Sequence, residues 1–176
     1  MPANNEIFKK YLNPVFIETG SYLGDGIQSA IDAGFNKVYS IELSPLHFHN
    51  CVERFKYNLK VHLVLGESHK ELEALLNNIN TPVTFWLDGH YSGPHTAKGE
   101  VESPLLQELE IISRHHIKNH TILIDDLRCW SIENHGFNTA ILKDKCLDIN
   151  SNYKFTLENG YDKGQTFIDD ILVAYV

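Results

Sequence analysis

The sequence has no long hydrophobic run. Its apolar stretches, such as Val61–Leu65 and Thr121–Ile124, are strand-sized and fall far short of the ~20 residues that cross a bilayer, so no membrane helix is expected. The opening MPANNEIFKK lacks both a basic n-region and an apolar h-region. No secretory signal is read there, and a cytoplasmic location is expected. Positive charge is scarce: 15 Lys and Arg stand against 23 Asp and Glu, a formal charge of -8, which repels phosphate backbones and argues against nucleic acid as a partner. Cysteine is scarce too. Cys51, Cys129 and Cys146 are odd in number and show no C-x-x-C spacing, which suits reduced, buried thiols better than a disulfide framework or a zinc knuckle. No internal repeat, low-complexity tract or Pro/Gly/Ser linker divides the chain. At 43% hydrophobic and 22% charged residues, the 176 residues can bury a core, and residues 1–176 read as one domain.

What is present is a regular alternation of strand-like and helix-like segments. Pro14–Glu18, Lys37–Leu43, Val61–Leu65, Pro82–Asp88 and Thr121–Asp126 read as five strands with near-continuous apolar character, the mark of a parallel sheet covered on both faces. Between them lie helical stripes. One is Ile27, Ala30, Ile31 and Phe35, closed by Gly34; a second follows the Ser44-Pro45 cap; a third is Leu72, Leu75, Leu76 and Ile79; a fourth follows Ser103-Pro104 with Leu105, Leu109 and Ile112. Gly136–Ile149 reads as a last helix. Tyr153–Glu158 and Asp169–Val176 read as a terminal strand pair forming an antiparallel edge.

In such sheets ligands bind beyond the carboxyl ends of the strands. After the first strand stands Glu18-Thr19-Gly20-Ser21-Tyr22-Leu23-Gly24-Asp25-Gly26, a Gly-rich turn opening a helix, where backbone and free N–H groups can approach an anionic ligand group. A tight strand-to-helix turn alone would also want glycine. Glu42 ends the second strand, 24 residues after Glu18, near the offset at which an acid accepts hydrogen bonds from ribose hydroxyls. After the third strand, Glu67 and Ser68 lie where an adenine edge would fall, although an N-cap explains Ser68 equally well. The fourth and fifth strands end in Asp88-Gly89-His90 and Asp125-Asp126. Three acids at one rim need compensation, and hard carboxylate oxygens suit Mg²⁺ or Mn²⁺. Helix capping by one Asp and pairing of another with Arg128 or Lys98 is the structural alternative.

These residues together resemble the class I S-adenosylmethionine-dependent methyltransferases, and within them the metal-dependent catechol and macrocin O-methyltransferase types. Glu18–Gly24 matches the first motif, with Tyr22 in place of its frequent middle glycine. The resemblance covers Pro14 to about Trp130 and fits the terminal strands. It implies a Rossmann-like α/β fold with a mostly parallel seven-stranded sheet, helices on both faces and an antiparallel C-terminal strand. It also implies S-adenosylmethionine as methyl donor, contacted by Glu18, Thr19, Gly20, Ser21, Tyr22, Gly24, Glu42, Glu67, Ser68 and Asp88. Asp88, Asp125 and Asp126 would hold a divalent metal. The tandem Asp125-Asp126, against the frequent Asp-Asn of catechol-type enzymes, shifts the expected acceptor towards a sugar or glycan hydroxyl. Only residues 1–13 precede the first strand, so no N-terminal lid is expected, and a large acceptor or a partner would finish the pocket. Oligomeric state is left open.

His90 and Asp88 are the candidate catalytic bases, His90 because imidazole titrates near neutrality and stands two residues from a proposed ligand. His90, Tyr91, His95, Arg128 and Trp130 are the candidate substrate contacts. His47-x-His49 and His115-His116 lack zinc spacing and read as structural. Three rival functions share parts of the pattern. Thr19–Gly26 also spells the turn of short-chain NAD(P)-dependent oxidoreductases, but no Tyr is followed by Lys four residues later. A non-catalytic nucleoside-binding module would keep the turn without turnover. A metal-dependent phosphoester hydrolase would use the aspartates but leave the Gly-rich turn and Glu42 unexplained.

Overall fold

The computed structural model describes residues 5–89, 103–162 and 164–176. The described elements are α1 (Asn5–Lys10), β1 (Val15–Thr19), α2 (Asp25–Ala33), β2 (Lys37–Glu42), α3 (Pro45–Phe55), β3 (Val61–Leu65), α4 (Ser68–Leu76), β4 (Val83–Leu87), α5 (Leu105–Arg114), β5 (Thr121–Ile124), α6 (Ile132–His135), α7 (Thr139–Ile149), β6 (Lys154–Asp162) and β7 (Gln165–Tyr175). A 3-10 turn, Leu127–Cys129, follows β5. The strands form one seven-stranded sheet in the order β3-β2-β1-β4-β5-β7-β6.

The expected antiparallel C-terminal strand is β7, and the terminal pair is antiparallel within itself. Only β7 runs against the sheet: it inserts between β5 and β6, antiparallel to both, so β6 at the edge again runs with the parallel strands. The fully buried run Ile171–Ala174 explains the insertion, because an apolar strand of that length is stabilised by neighbours on both sides. Helix α1 has no counterpart in the sequence pattern. It is a single short amphipathic segment whose Ile7 and Phe8 close one face of the sheet.

Alternation along the strands builds two cores. Ile17, Phe85, Leu87 and Ile124 face α4, α5 and α7, while Phe16, Val38, Trp86 and Leu123 face α1, α2 and α3. β3 lies at the sheet edge and is only half-buried.

Some helix starts form as the sequence suggests. Ser44 Oγ accepts from the His47 N–H at 3.4 Å ahead of Pro45 in the first turn, and Gly34 closes α2 in a left-handed conformation, φ 105°. Two expected caps do not form. Glu67, not Ser68, occupies the cap position of α4, and Pro104, not Ser103, that of α5, neither with a side-chain capping bond. The Ser68 hydroxyl instead stands beside the buried Glu108 carboxyl.

At the amino ends of β4 and β5 the chain is fastened by a directed hydrogen-bond series. The Val83 N–H donates to His120 Nδ1 at 3.1 Å, which places the His120 proton on Nε2. That nitrogen is 2.9 Å from His115 Nδ1, and His115 Nε2 is 3.0 Å from the Ile79 carbonyl. Both rings are therefore neutral with the proton on Nε2. Burial pushes both pKa values down, that of His120 to about 4.

Candidate active site

The strand order reverses direction between β1 and β4, so the switch-point crevice lies at their carboxyl ends. The Gly-rich turn leaves β1 at this point. Gly20 has φ 88° and Gly24 φ 83°, and a Cβ on Gly20 would lie 3.1 Å from the Asp88 carbonyl oxygen. The two backbones thus approach as only glycine permits. Tyr22, at φ 46°, also sits in the left-handed region, which accounts for the glycine that the motif often carries there.

Two acids hold this turn. Glu18 is 2% exposed and accepts from Ser40 Oγ at 2.6 Å, and the Ser40 and Ser21 hydroxyls are 2.6 Å apart. A Cβ on Gly26 would meet Glu18 Oε1 at 1.8 Å, so the carboxyl fills the space beneath the first turn of α2. Burial pushes its pKa up to about 8, with Ser40 pulling it back and the charges of Asp88 and Glu42 adding to the rise. Glu42 accepts from the Tyr22 N–H at 2.8 Å through Oε2 and from the Ser44 N–H at 2.7 Å through Oε1. Each oxygen keeps a further lone pair for a ligand hydroxyl. Glu67 pairs with Lys70 at 2.7 Å, and Ser68 is buried at the start of α4.

The acids of β4 and β5 converge. One carboxylate oxygen from each of Asp88, Asp125 and Asp126 lies within 4.8 Å of the others. Asp125 is 5% exposed, and burial, Asp88 and Asp126 together push its pKa well above the carboxylate range. Asp126 has φ 57°, which turns its side chain back towards the rim. The donor set is all hard oxygen and carries an excess of negative charge, so it fits a divalent cation of the Mg²⁺ or Mn²⁺ kind. Arg128 bridges this rim to β7. Its guanidinium is 2.6 Å from Asp126 Oδ1, also pairs with Asp170, and lies over the Phe167 ring at 4.1 Å. Its backbone N–H donates to Asp170 Oδ1 at 2.9 Å. Trp130 is buried, and its indole N–H donates to the Asp125 carbonyl oxygen at 3.0 Å.

Solved structures with the same architecture are known. An O-methyltransferase from Bacillus cereus in complex with SAH matches with a TM-score of 0.63 and 14% identity, over 98% of this chain and 78% of that one. The chain has the class I methyltransferase fold. TomG from Streptomyces achromogenes, an O-methyltransferase of tomaymycin synthesis in complex with SAM, matches with a TM-score of 0.62 and 12% identity, over 98% and 77% of the two chains. The SAH-bound methyltransferase PaMTH1 from Podospora anserina gives 0.61 and 12%, over 97% and 76%. No protein-family model matches the sequence, and no curated protein matches it.

On this methyltransferase fold, Glu18, Thr19, Gly20, Ser21, Tyr22, Gly24 and Glu42 line or hold the first turn, and Asp88, Asp125 and Asp126 form one cluster. Arg128, expected to meet the substrate, is engaged by Asp126 and Asp170. Trp130 supports Asp125 from below. His90, Tyr91 and His95 lie outside the described residues. Three residues were not anticipated: Ser40, Asp170 and Glu108. Glu108 is 1% exposed on α5, and burial pushes its pKa up to about 7, with the nearby Ser68 and Thr19 hydroxyls pulling it back and Asp88 raising it. Its signal was its place on the buried stripe, three residues after Leu105 and four before Ile112.

Proposed function

We propose that the protein transfers a methyl group from S-adenosylmethionine to a hydroxyl of a small molecule, preferably a sugar or glycan, with a divalent metal held by Asp88, Asp125 and Asp126. The observation that carries this reading is the convergence of those three carboxylates beside a Gly-rich turn at the switch point of the sheet. Nucleoside binding alone would not require the acidic rim, and hydrolysis would not require the turn. The preference for a sugar hydroxyl rests on the tandem Asp125-Asp126. Reduced thiols at Cys51, Cys129 and Cys146 agree with a cytoplasmic setting.

In this mechanism the turn from Gly20 to Gly24 brings free backbone against the amino-acid part of the donor, and Glu42 accepts from its ribose hydroxyls. When bound, the ion would neutralise the acidic rim and lower the pKa of the acceptor hydroxyl. Asp88 or His90 takes the proton of that hydroxyl. The rim fixes the hydroxyl's position relative to the donor, and positioning of this kind supplies much of the rate in a direct displacement. Asp125, kept in place by Trp130, and Asp126, kept in place by Arg128, preserve the geometry of the rim.

Calorimetric titration of metal-stripped protein with SAH and with NADH, each repeated with Mg²⁺ and with Mn²⁺, tests the proposal. Micromolar binding of SAH with NADH silent is expected, with methylation of a sugar-hydroxyl panel dependent on the ion. Absence of SAH binding under all three conditions refutes the donor reading, and turnover that persists in chelator refutes the metal.

A further inference from the structure

The two edges of the sheet are built differently. β6 carries Lys154, Glu158 and Asp162, and its pairing with β7 slips between Glu158 and Gly160. Charge and irregularity of this kind keep an edge from pairing with another chain. β3, at the other edge, runs Val-His-Leu-Val-Leu and has no Lys, Arg, Asp, Glu or Pro. Its parallel pairing with β2 is unbroken from Val61 to Leu65, and among the described residues no strand lies outside it. The hydrogen bonds to β2 show which backbone groups are left over. The Val38 N–H donates to the Lys60 carbonyl and the Gly66 N–H to the Glu42 carbonyl, both at 2.9 Å. Because alternate residues of a strand point their N–H and C=O groups to opposite sides, the even-numbered residues from Lys60 to Gly66 bond to β2. The N–H and C=O groups of Val61, Leu63 and Leu65 therefore point away from the sheet.

The side chains of these same three residues share one face, on which Val61 and Leu63 pack against the core that Phe16 and Val38 belong to. Leu65 is 43% exposed, and Leu59, just before the strand, is 92% exposed. We propose that β3 pairs antiparallel with β3 of a second copy of the chain, about a two-fold axis at Leu63. In that register Leu63 meets Leu63 of the second copy and Val61 meets Leu65, twice. Each of these pairs exchanges two N–H···O bonds, so the outward groups of all three residues are satisfied in both copies. Side chains directly opposite one another lie on the same face, so the two apolar stripes join into one and Leu65 and Leu59 lose exposed area. His62 faces Val64 of the second copy, so no like charges meet across the pair. The interface is self-complementary, as a two-fold dimer requires, and with five strand residues from each copy it is small, which makes the association reversible. The carboxyl ends of the two strands point in opposite directions and leave both switch-point crevices open, so the pairing is independent of the methyl-transfer reading.

Sedimentation velocity over a concentration series, with amide hydrogen exchange followed residue by residue by NMR, tests the proposal on the wild-type chain. The 20.1 kDa monomer is expected to pass reversibly into a dimer. As it does, the Val61, Leu63 and Leu65 amides should gain protection by at least about tenfold, while those of His62 and Val64, already bonded to β2, should not change. The double substitution Leu59→Glu/Leu65→Glu adds two carboxylates per copy at the ends of the pairing, near Glu67 of the other copy. It is expected to weaken dimerisation at least about tenfold and, because both positions are exposed, to leave the monomer folded. The exchange pattern is measured on the wild type and stands even if the variant fails to fold. A wild type that stays monomeric throughout the series overturns the proposal and leaves the edge to a different partner. A dimer in which the Leu63 amide exchanges as in the monomer also overturns it, as does a folded double variant that dimerises as strongly as the wild type.

Discussion

Glu18 makes the metal-free protein more stable in mild acid than at neutral pH. Folding raises its pKa from the ordinary 4.5 to about 8, so the folded state holds the proton more tightly than the unfolded chain. The stabilisation is therefore complete below pH 4.5 and is lost as pH rises through 8. Linkage gives about 1.4 kcal/mol per pH unit over that window, or about 3 to 4 kcal/mol between pH 5 and pH 8. For a chain of this size that corresponds to a fall of roughly 10 °C in melting temperature. Glu108 has the same sign, so the Glu18 share must be read by difference. Glu18→Gln keeps an acceptor for Ser40 Oγ at nearly constant volume but carries no titrating proton. Urea unfolding followed by the fluorescence of the buried Trp86 and Trp130, in chelator at pH 5, 6, 7 and 8, should show a steep pH slope in the wild type. The slope of the variant should be shallower by that same 3 to 4 kcal/mol over the range. Equal slopes for the two proteins would refute the argument, since they would mean that Glu18 is ionised within the folded turn.

Three other perturbations separate the parts of the structure. Asp125→Asn should weaken Mn²⁺ binding at least about tenfold, spare SAH binding, and raise the stability of the metal-free protein by about 1–3 kcal/mol by removing a buried like charge; calorimetry and urea unfolding read these effects. Glu42→Ala should weaken SAH binding by roughly 10- to 100-fold, since it removes both the ribose acceptor and the partner of the Tyr22 N–H. His120→Ala should destabilise the fold by about 3 kcal/mol at pH 7, because it leaves the Val83 N–H and the His115 ring without partners. The His120 pKa is lowered on folding to about 4, so this stabilisation is present above pH 6.5 and lost as pH falls. The gap between wild type and His120→Ala should accordingly narrow by about 2 kcal/mol from pH 7 to pH 5.

Much of this site is legible in the sequence because its acids break strong local patterns. Asp88 and Asp125 each terminate an apolar strand, and Glu42 does so after Lys37–Ile41, so their place at the rim follows from strand length alone. Residues that act through pairing across the sheet are harder to see. Ser40 is a small polar residue in mid-strand, and only the parallel register that sets Glu18 opposite Ser40 makes it the partner of a buried acid. Asp170 reaches the rim because β7 doubles back through a hairpin with a register shift between Glu158 and Gly160. A Cβ on Gly160 would come within 2.7 Å of Asp170 Oδ2, so that irregular stretch and the Arg128 contact depend on each other.

The first turn shows why a non-glycine residue can stand at the centre of a glycine motif. A left-handed conformation at Tyr22 costs about 1–2 kcal/mol relative to glycine, and the charge-assisted hydrogen bond from its N–H to Glu42 offsets a cost of that size. The Tyr22 ring, with its centroid 4.7 Å from that of His47, is in return placed over the start of α3. Glu42 therefore shapes the turn and presents oxygens to the ligand at the same time. Donor affinity and turn geometry are set by one carboxylate, whose charge also raises the pKa of Glu18 beneath the turn. A cation at the rim of Asp88, Asp125 and Asp126 would relieve the Asp88 share of that rise. Metal binding and the protonation of a residue on the far side of the turn are thus coupled through the field of the site.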